Sequence, residues 1–379
     1  MTTPSNGTDE PLLLFEHAAA SGHVVAEARL NSPATLNALS LPMIDILRPA
    51  LARWAADPAV AAVLLTGSGD RAFSAGGDIQ ELYRAMVRNH EADSRVDEYP
   101  YRFFEQEYRL DYQIHRFSKP LVSVGHGVVM GGGLGVFSGA RYRVVTETLR
   151  LAMPEITIGL FPDAGATWLL RNMPRHMATF LGLTGAHVNA ADALRMGVAT
   201  HSVAQSERDS VPAALLELPW QGDLQADGAA VAACLDGLTR PALPALQVDD
   251  VPDSLHPEGT LLDVVERVRA LHGRSDWIDR GIAAMNRGCP TSVGIVAEQL
   301  VRAGQLELAD AFRLEMIVAT QCADHPDFAE GVRALIIDKD NRPNWQFDSL
   351  EALPETYVRA HFKAPWPENP LDDLEEEAA

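Results

Sequence analysis

Apolar and polar residues alternate with two different periods along the first half of the chain. Residues 24–30 (VVAEARL) alternate as in a strand, and residues 60–67 (VAAVLLTG) form a continuous apolar run that ends at a glycine. Between them, residues 36–57 place apolar side chains at helical spacing; Pro42 suits the first helical turn, and Pro49 favours a kink. Strand and helix alternate in this way over residues 24–205, which predicts an α/β unit with a parallel sheet.

The pattern changes after Val203. Residues 206–260 are rich in proline, alanine and leucine, and residues 261–320 have the spacing of long amphipathic helices, such as SVGIVAEQLVRAG and ELADAFRLEMIVATQ. We therefore predict four segments, which are a flexible N-terminus over residues 1–20, the α/β core over 21–205, a mostly helical region over 206–365 and an acidic tail, solvated and frayed, over 366–379.

The charge of the chain limits its partners. The net charge is −21, from 31 basic and 52 acidic residues, and such a field repels nucleic-acid phosphates. No apolar stretch reaches the roughly 18 residues that a membrane-spanning helix needs. Three widely spaced cysteines, without a CxxC pair, indicate free thiols, and the start MTTPSNGTDEP does not resemble a signal peptide. We expect a cytoplasmic protein that binds neither nucleic acid nor membranes.

Several well-known motifs are missing from the sequence. It contains no GxSxG, HExxH or GxxxxGK[ST], and the glycine run at 125–135 does not fit GxGxxG. The twelve histidines show no spacing to cysteines or carboxylates that is typical of a metal site. We therefore expect no metal and no nucleotide cofactor.

Two glycine-rich stretches lie where a strand gives way to a helix, SAGGD (74–78) and MGGGLG (130–135). A helix N-terminus leaves backbone N–H groups unpaired and partly positive, and glycine lets a ligand approach them closely. Two such N–H groups from two turns can bind one oxygen, as in an oxyanion hole. The alternative is that both stretches are only tight turns with close helix packing.

A third stretch, AMPEITIGLFPDAG (152–165), places Glu155 and Asp163 among apolar residues. Carboxyl groups in apolar surroundings tend to have a raised pKa and are candidates for acid–base chemistry. Because Glu155 follows a predicted strand, it is expected at a strand's carboxyl end, where α/β folds place their sites. The alternative is a helix-capping role for Asp163 and an exposed turn for Glu155.

Four stretches of the chain resemble motifs of the crotonase (enoyl-CoA hydratase/isomerase) superfamily and occur in the same order. They are DRAFSAGGDI, KPLVSVGHGVVMGGGLG, MPEITIGLFPDAG and LTGAHVNAADALRMGVATHSV. The resemblance implies a crotonase-fold (ClpP/crotonase-like) core, a ββα spiral that binds acyl-CoA, followed by a helical C-terminal region. It also implies that the N–H groups of Gly77 and Gly132 hold the thioester oxygen of the substrate.

The chain departs from the hydratases of that superfamily at two places, Gly135 and Asp163, and agrees with them at Glu155. Hydratases carry a glutamate three residues after the second oxyanion-hole glycine, where this chain has Gly135. They have glycine at the position of Asp163. Their second glutamate matches Glu155. This pattern is similar to that of the 3-hydroxyisobutyryl-CoA hydrolase branch, whose members are thioesterases of valine breakdown. Glu107, in QEY, matches a glutamate of that branch.

The resemblance implies catalytic roles for Glu155 and Asp163 and substrate binding by Glu107, Gly77 and Gly132. Glu155 then acts either as a general base on water or as the nucleophile, and the sequence leaves both routes open. CoA is part of the substrate, so no separate cofactor is implied, and relatives form trimers or hexamers. Two rival functions are a hydratase or isomerase that uses Glu155 alone, and an acyl-CoA-binding protein without catalysis.

Overall fold

A computed structural model describes residues 10–377 of the chain, and its internal contacts divide the chain into two units. The described part of unit 1 comprises residues 10–77, 113–151 and 188–246, and that of unit 2 comprises 78–112, 152–187 and 247–377. Each unit therefore collects three separate stretches of chain. The boundaries predicted from the sequence at residues 21, 206 and 366 stay predictions.

Nine strands occur in the described chain. They are β1 (Leu12–Ala18), β2 (Val24–Leu30), β3 (Val60–Gly67), β4 (Ala72–Ser74), β5 (Leu121–Gly125), β6 (Val128–Met130), β7 (Tyr142–Val145), β8 (Arg150–Ala152) and β9 (His201–Ser202). A six-stranded sheet has the order β1-β2-β3-β5-β7-β9, and a three-stranded sheet has the order β4-β6-β8. From β2 onward the neighbours in the large sheet are parallel, as the sequence pattern predicts.

Sixteen α-helices complete the described elements. They are α1 (Leu41–Ala56), α2 (Ile79–Ala92), α3 (Tyr99–His115), α4 (Gly132–Ser138), α5 (Ala166–Arg171), α6 (Arg175–Thr184), α7 (Ala190–Arg195), α8 (Ser210–Leu216), α9 (Leu224–Asp236), α10 (Leu261–Arg269), α11 (Asp276–Arg287), α12 (Pro290–Ala303), α13 (Leu308–Asp324), α14 (Pro326–Val332), α15 (Glu355–Ala360) and α16 (Leu374–Glu377). α1 begins where the sequence predicts: Ser40 accepts the N–H of Met43, Pro42 lies in the first turn, and the helix continues through Pro49. The two long C-terminal helices predicted from the pattern are α12 and α13.

The first strand corrects one prediction. β1 pairs with β2 in antiparallel register from Leu12–Leu30 to Ala18–Val24, so the prediction of a flexible N-terminus is wrong for residues 12–18. The pattern failed here because LLLFEHA does not alternate and follows a proline, and the strand is stabilised by its pairing with β2 at the sheet edge. The same prediction for residues 1–9 lies outside the described residues.

One face of the large sheet in unit 1 is buried under α8 and α9. Apolar side chains of β3, β5 and β7 contact apolar side chains of the two helices in one buried cluster that includes Leu64, Val122, Val144, Leu215, Trp220 and Val231. β3 is buried on both faces, which explains its continuous apolar sequence. The sheet is therefore a rigid support for the turns at its strand ends.

Unit 2 is largely helical where it is described. α12 contacts α5, α6 and α15, and α13 contacts α5 and α14. Rings of Phe104, Tyr108, Phe312 and Phe328 pack on one another in its interior. These aromatic contacts join α3 to α13 and α14.

The acidic tail packs on unit 2 rather than fraying over the residues described. Leu371 and Leu374 are buried, and Arg313 of α13 donates hydrogen bonds to the Leu371 carbonyl and the Glu375 carboxylate. The prediction of a solvated end is therefore wrong for this stretch, because the two leucines bury apolar surface among the charged residues.

In the part of the chain that the structure describes, no helix combines the length and the apolar character that crossing a membrane requires.

Candidate active site

The sequence-predicted site residues fall into two groups, one in each unit. Gly77 and Gly132 belong to unit 1, and Glu107, Glu155 and Asp163 belong to unit 2. Each group is built by its own local structure.

The SAGGD stretch in unit 1 is a turn that leads from β4 to α2. Gly76 has φ +114°, which L side chains rarely adopt, so glycine is required there by conformation. The turn is fixed by backbone hydrogen bonds: the Ala75 N–H donates to the Leu36 carbonyl at 3.0 Å, and the Leu39 N–H donates to the Gly76 carbonyl at 2.7 Å. Gly77 follows at a half-buried position.

The second turn leads from β6 into α4. Gly131 has φ 49° and ψ −135°, a combination open to glycine, and Gly132 is the first residue of the helix. The N–H groups of a first helical turn have no partner within the helix, so the Gly132 amide is available to a ligand. All seven residues of α4 are buried, including Gly135.

The two turns of unit 1 touch each other. A Cβ built on Gly133 would lie 2.6 Å from the Cβ, the Oγ and the backbone oxygen of Ser74, and one built on Gly76 would lie 3.9 Å from the Gly132 nitrogen. The close packing proposed as the alternative is therefore present at Gly133, and the amides of Gly77 and Gly132 lie in adjoining turns. That both N–H groups converge on one oxygen stays a prediction.

Glu155 of unit 2 begins a short 3₁₀ turn, and only Met153 and Pro154 separate it from the end of β8, so it lies near a strand's carboxyl end as predicted. Its side chain is buried, and its Oε2 atom has no hydrogen-bond partner among residues 10–377. Burial, and next the charge of Asp163, raise the pKa of Glu155 well above its usual value. A carboxyl group with a raised pKa and a free oxygen suits a general base or a nucleophile.

The turn after Glu155 rests directly on α14. Gly159 has φ +75°, and a Cβ there would overlap the backbone of Asp327; a Cβ on Gly331 would overlap the backbone of Ile158. Two backbones therefore cross in contact, each with a glycine facing the other. The Ile156 carbonyl also accepts the N–H of Cys289 at 2.8 Å. Contacts from the C-terminal helices thus fix the position of Glu155.

Asp163 accepts a 2.6 Å hydrogen bond at Oδ2 from the hydroxyl of Tyr108 on α3. Burial raises its pKa to about 6, and the Tyr108 bond acts in the opposite direction. The N–H groups of Gly165 and Thr167 at the start of α5 donate to the carboxylate of Glu315, so Glu315 and not Asp163 has the capping role that was considered for Asp163. A carboxylate has more acceptor positions than the one that Tyr108 occupies, so Asp163 can also accept a hydrogen bond from a substrate or a water molecule.

Glu107 is buried on α3, with its Oε1 atom unpartnered within the described residues. Its pKa is raised well above the usual value by burial and then by the nearby carboxyls of Asp163, Glu315 and Glu155. The three predicted carboxyl groups therefore lie close enough to repel one another when ionised.

The sequence missed three members of this cluster, Tyr108, Asp111 and Glu315. Asp111 lies one helical turn after Glu107 on α3, and neither of its carboxyl oxygens has a partner in the described part of the chain. Glu315 lies on the apolar face of α13, which would have marked it as buried: it follows Phe312 by three residues and precedes Ala319 by four. Burial raises the pKa of Glu315 to about 8.

Within residues 10–377, no group of three or more histidine, cysteine, aspartate or glutamate side chains is arranged to hold a metal ion.

Solved structures of two acyl-CoA enzymes resemble the chain over nearly its whole length. One is an enoyl-CoA hydratase from Rhodobacter sphaeroides 2.4.1, at 31% identity and TM-score 0.78, covering 93% of this chain and 97% of that one. The other is a carnitinyl-CoA dehydratase from Mycobacterium thermoresistibile, at 32% identity and TM-score 0.79, covering 94% and 97%. The chain therefore has the crotonase fold, as the sequence motifs predict.

Residues 25–362 match the family described as enoyl-CoA hydratase/isomerase, and the chain belongs to that family. Among curated proteins it is similar to the mitochondrial 3-hydroxyisobutyryl-CoA hydrolases of Danio rerio (33% identity over 356 residues, 93% of this chain and 89% of the relative) and Homo sapiens (32% over 367, 93% and 92%). It is also similar to 3-hydroxyisobutyryl-CoA hydrolase 1 of Arabidopsis thaliana (34% over 345, 88% of each).

Proposed function

We propose that this chain is an acyl-CoA thioesterase that converts 3-hydroxyisobutyryl-CoA and water to 3-hydroxyisobutyrate and CoA, a step of valine breakdown. The observation that carries the proposal is the buried carboxyl pair of Glu155 and Asp163, together with the buried Gly135 at the position where the resemblance implies the first of the two hydratase glutamates. Curated relatives named 3-hydroxyisobutyryl-CoA hydrolase, matching about nine tenths of the chain, support the same substrate.

Hydrolysis of a thioester requires a nucleophile at the carbonyl carbon and a stabilised oxyanion. In the proposed mechanism the N–H groups of Gly77 and Gly132 hold the carbonyl oxygen, and the loss of one such donor typically removes about 2.7–4 kcal/mol of transition-state stabilisation. Glycine at these positions keeps side chains away from the oxygen.

Glu155 supplies the nucleophile in one of two ways. As a general base it takes a proton from water, the hydroxide adds to the carbonyl carbon, and the carbon–sulfur bond breaks as the proton passes to the leaving thiolate. As a nucleophile it attacks the carbonyl carbon itself, releases CoA and forms an anhydride, which water then hydrolyses. The partner-free Oε2 atom of Glu155 fits both routes.

The remaining carboxyl groups explain a preference for a hydroxylated acyl chain. Glu107 has an unpartnered buried oxygen in the described structure, and Asp163 keeps acceptor capacity beside its bond from Tyr108. Either can accept a hydrogen bond from a 3-hydroxyl group. A site built in this way disfavours the analogue without the hydroxyl, because its own polar atoms then stay unpaired.

A hydratase or isomerase that uses Glu155 alone is the second candidate, because the two similar solved structures are named as a hydratase and a dehydratase. A third is an acyl-CoA-binding protein without turnover. We also propose that the reaction needs no further cofactor and that the chain assembles into trimers or hexamers. A cytoplasmic location is a further proposal, although the animal relatives are named as mitochondrial.

One assay separates the three functions. The purified full chain is incubated with 3-hydroxyisobutyryl-CoA, isobutyryl-CoA and crotonyl-CoA, while free thiol is followed with a thiol reagent and the enoyl group by its absorbance. Thiol release from the hydroxylated substrate without change in the crotonyl absorbance is the expected result. Loss of the enoyl absorbance without thiol release would establish the hydratase, and saturable binding with neither signal would establish the binding protein.

A further inference from the structure

Two buried polar side chains from the C-terminal helices hold the turn that carries Asp163. Glu315 of α13 accepts the backbone N–H groups of Gly165 at 2.7 Å and Thr167 at 2.8 Å. Gln299 of α12 donates its Nε2 atom to the Pro162 carbonyl and to the Thr167 hydroxyl, both at 2.7 Å. The turn is therefore held by hydrogen bonds on both sides of Asp163, at Pro162 before it and at Gly165 after it.

Gln299 and Glu315 are linked through Thr167. Its hydroxyl accepts from Gln299 and its backbone N–H donates to the Glu315 carboxyl, so the three residues make one connected network. Gln299 and Glu315 are almost completely inaccessible to solvent. The Oε1 atom of Gln299 has no partner within the described residues, so its Nε2 atom makes the contacts with the turn. Breaking the hydrogen bonds of a buried amide or carboxyl is unfavourable, which stabilises the contacts that Gln299 and Glu315 make.

The turn itself needs such support. Ala164 has φ +54° and Gly165 has φ +84°, and a left-handed backbone conformation at alanine is rarely populated. Such a conformation persists only when surrounding contacts impose it, and it occurs preferentially at functional sites. Glu315 binds the amide that directly follows Ala164. Tyr108, on the other side, donates to the Asp163 carboxylate at 2.6 Å, so small shifts of the turn would break that bond.

We propose that Glu315 and Gln299 are positioning residues for hydrolysis, which act by fixing the Pro162–Thr167 turn so that the Asp163 carboxylate faces Tyr108 and the acyl chain. The inference rests on the proposed thioesterase function. It gives the helical C-terminal region a role in catalysis without contact to the substrate.

The test compares conservative variants of the two residues with solvent-facing acids on the same helices. Glu315→Gln replaces one acceptor oxygen with a donor that faces a backbone N–H, and Gln299→Met keeps the volume but removes the donor to Pro162. The controls are Asp310→Asn on α13 and Glu298→Gln on α12, whose only contacts given by the structure are ion pairs with Arg313 and Arg302 on the same helices. Each variant is also made together with Asp163→Asn.

Each single positioning variant should lower kcat for 3-hydroxyisobutyryl-CoA by about 10- to 100-fold, the size of effect that a misplacement near 1 Å produces. KM should change less than about 2-fold, and the controls should match the wild type. In the Asp163→Asn background the same changes should lower kcat by less than about 2-fold, because their effect passes through Asp163. A purely structural role would lower kcat equally in both backgrounds, and that result would overturn the proposal.

A crystal structure of Gln299→Met or Glu315→Gln gives a readout that does not depend on activity. The proposal requires the Tyr108–Asp163 hydrogen bond to be lost or displaced in the variant and kept in Asp310→Asn. An unchanged turn would refute the positioning role even if kcat fell. If the wild type hydrolyses no thioester, the proposed function fails, while the displacement of Asp163 is still decided by these structures.

Discussion

Substituting Gly133 by alanine tests whether the contact between the two turns of unit 1 matters for activity. A Cβ at this position would lie 2.6 Å from three atoms of Ser74, about 0.8 Å inside the 3.4 Å at which ordinary van der Waals contact begins. One of the three is the backbone oxygen, which no rotation of the Ser74 side chain can move. The two turns must therefore separate, and the neighbouring Gly132 amide moves with α4.

Two effects of Gly133→Ala can be estimated. Overpacking of a buried contact typically costs about 1–3 kcal/mol of stability. A displacement near 1 Å of a group that binds the oxyanion lowers the rate by about 100-fold, so kcat/KM should fall by about 10- to 100-fold. Thiol release from 3-hydroxyisobutyryl-CoA and a thermal melt of the same preparation measure both quantities.

Two further variants make the test specific. Gly304→Ala is the control, because Gly304 has helical backbone angles and no atom within 4 Å of the added Cβ, and it should leave activity and stability unchanged. Ser74→Gly combined with Gly133→Ala removes two of the three contacts and should restore part of the activity. Wild-type activity and melting temperature in Gly133→Ala would show that the turns can separate without consequence and would refute the reasoning.

The remaining predictions concern the carboxyl groups of unit 2. Glu155→Gln should lower kcat for thioester hydrolysis by at least about 100-fold while CoA-ester binding persists; near-normal hydrolysis would mean that the base lies elsewhere. The wild type should prefer 3-hydroxyisobutyryl-CoA over isobutyryl-CoA in kcat/KM, and Glu107→Gln should reduce that preference; equal values in the wild type contradict hydroxyl recognition. Because burial raises the pKa of Asp163 to about 6, from about 3.9 in an unfolded chain, the folded state keeps a proton that the unfolded chain releases. This group's contribution to the free energy of unfolding should therefore fall as the pH rises from about 4 to 6, and Asp163→Asn should show a weaker decline in denaturant titrations; an identical pH dependence in both proteins would contradict the raised pKa.

Local signals in the sequence were sufficient for the turns and for two carboxyl groups. Gly76 and Gly131 are required by the backbone angles of their own turns, so the glycines are visible in the sequence without knowledge of the fold. Glu155 and Asp163 stand out as acids in an otherwise apolar stretch. The crotonase fold was predicted because four stretches, in order, resemble a known family, so that prediction used knowledge of other proteins as well as the sequence.

Local sequence signals could not predict contacts between residues that are far apart in the chain. Glu315 binds a turn that lies 150 residues earlier in the chain, and no local sequence pattern predicts which backbone N–H groups a buried glutamate will bind. Asp111 was missed because its burial depends on the neighbours of α3 rather than on its own sequence spacing. β1 was missed for a similar reason, since an edge strand is specified partly by the strand with which it pairs.

The backbone crossing at Gly159 and Gly331 restricts when the protein can become active. During synthesis, the ribosome completes the turn after Glu155 long before it makes the α14 segment on which that turn rests. Contacts between such distant residues form late, and domains fold as units once their chain is available. A nascent chain that ends before residue 331 would carry Glu155 without its support, so hydrolysis of CoA esters should begin only after the α14 segment has left the ribosome.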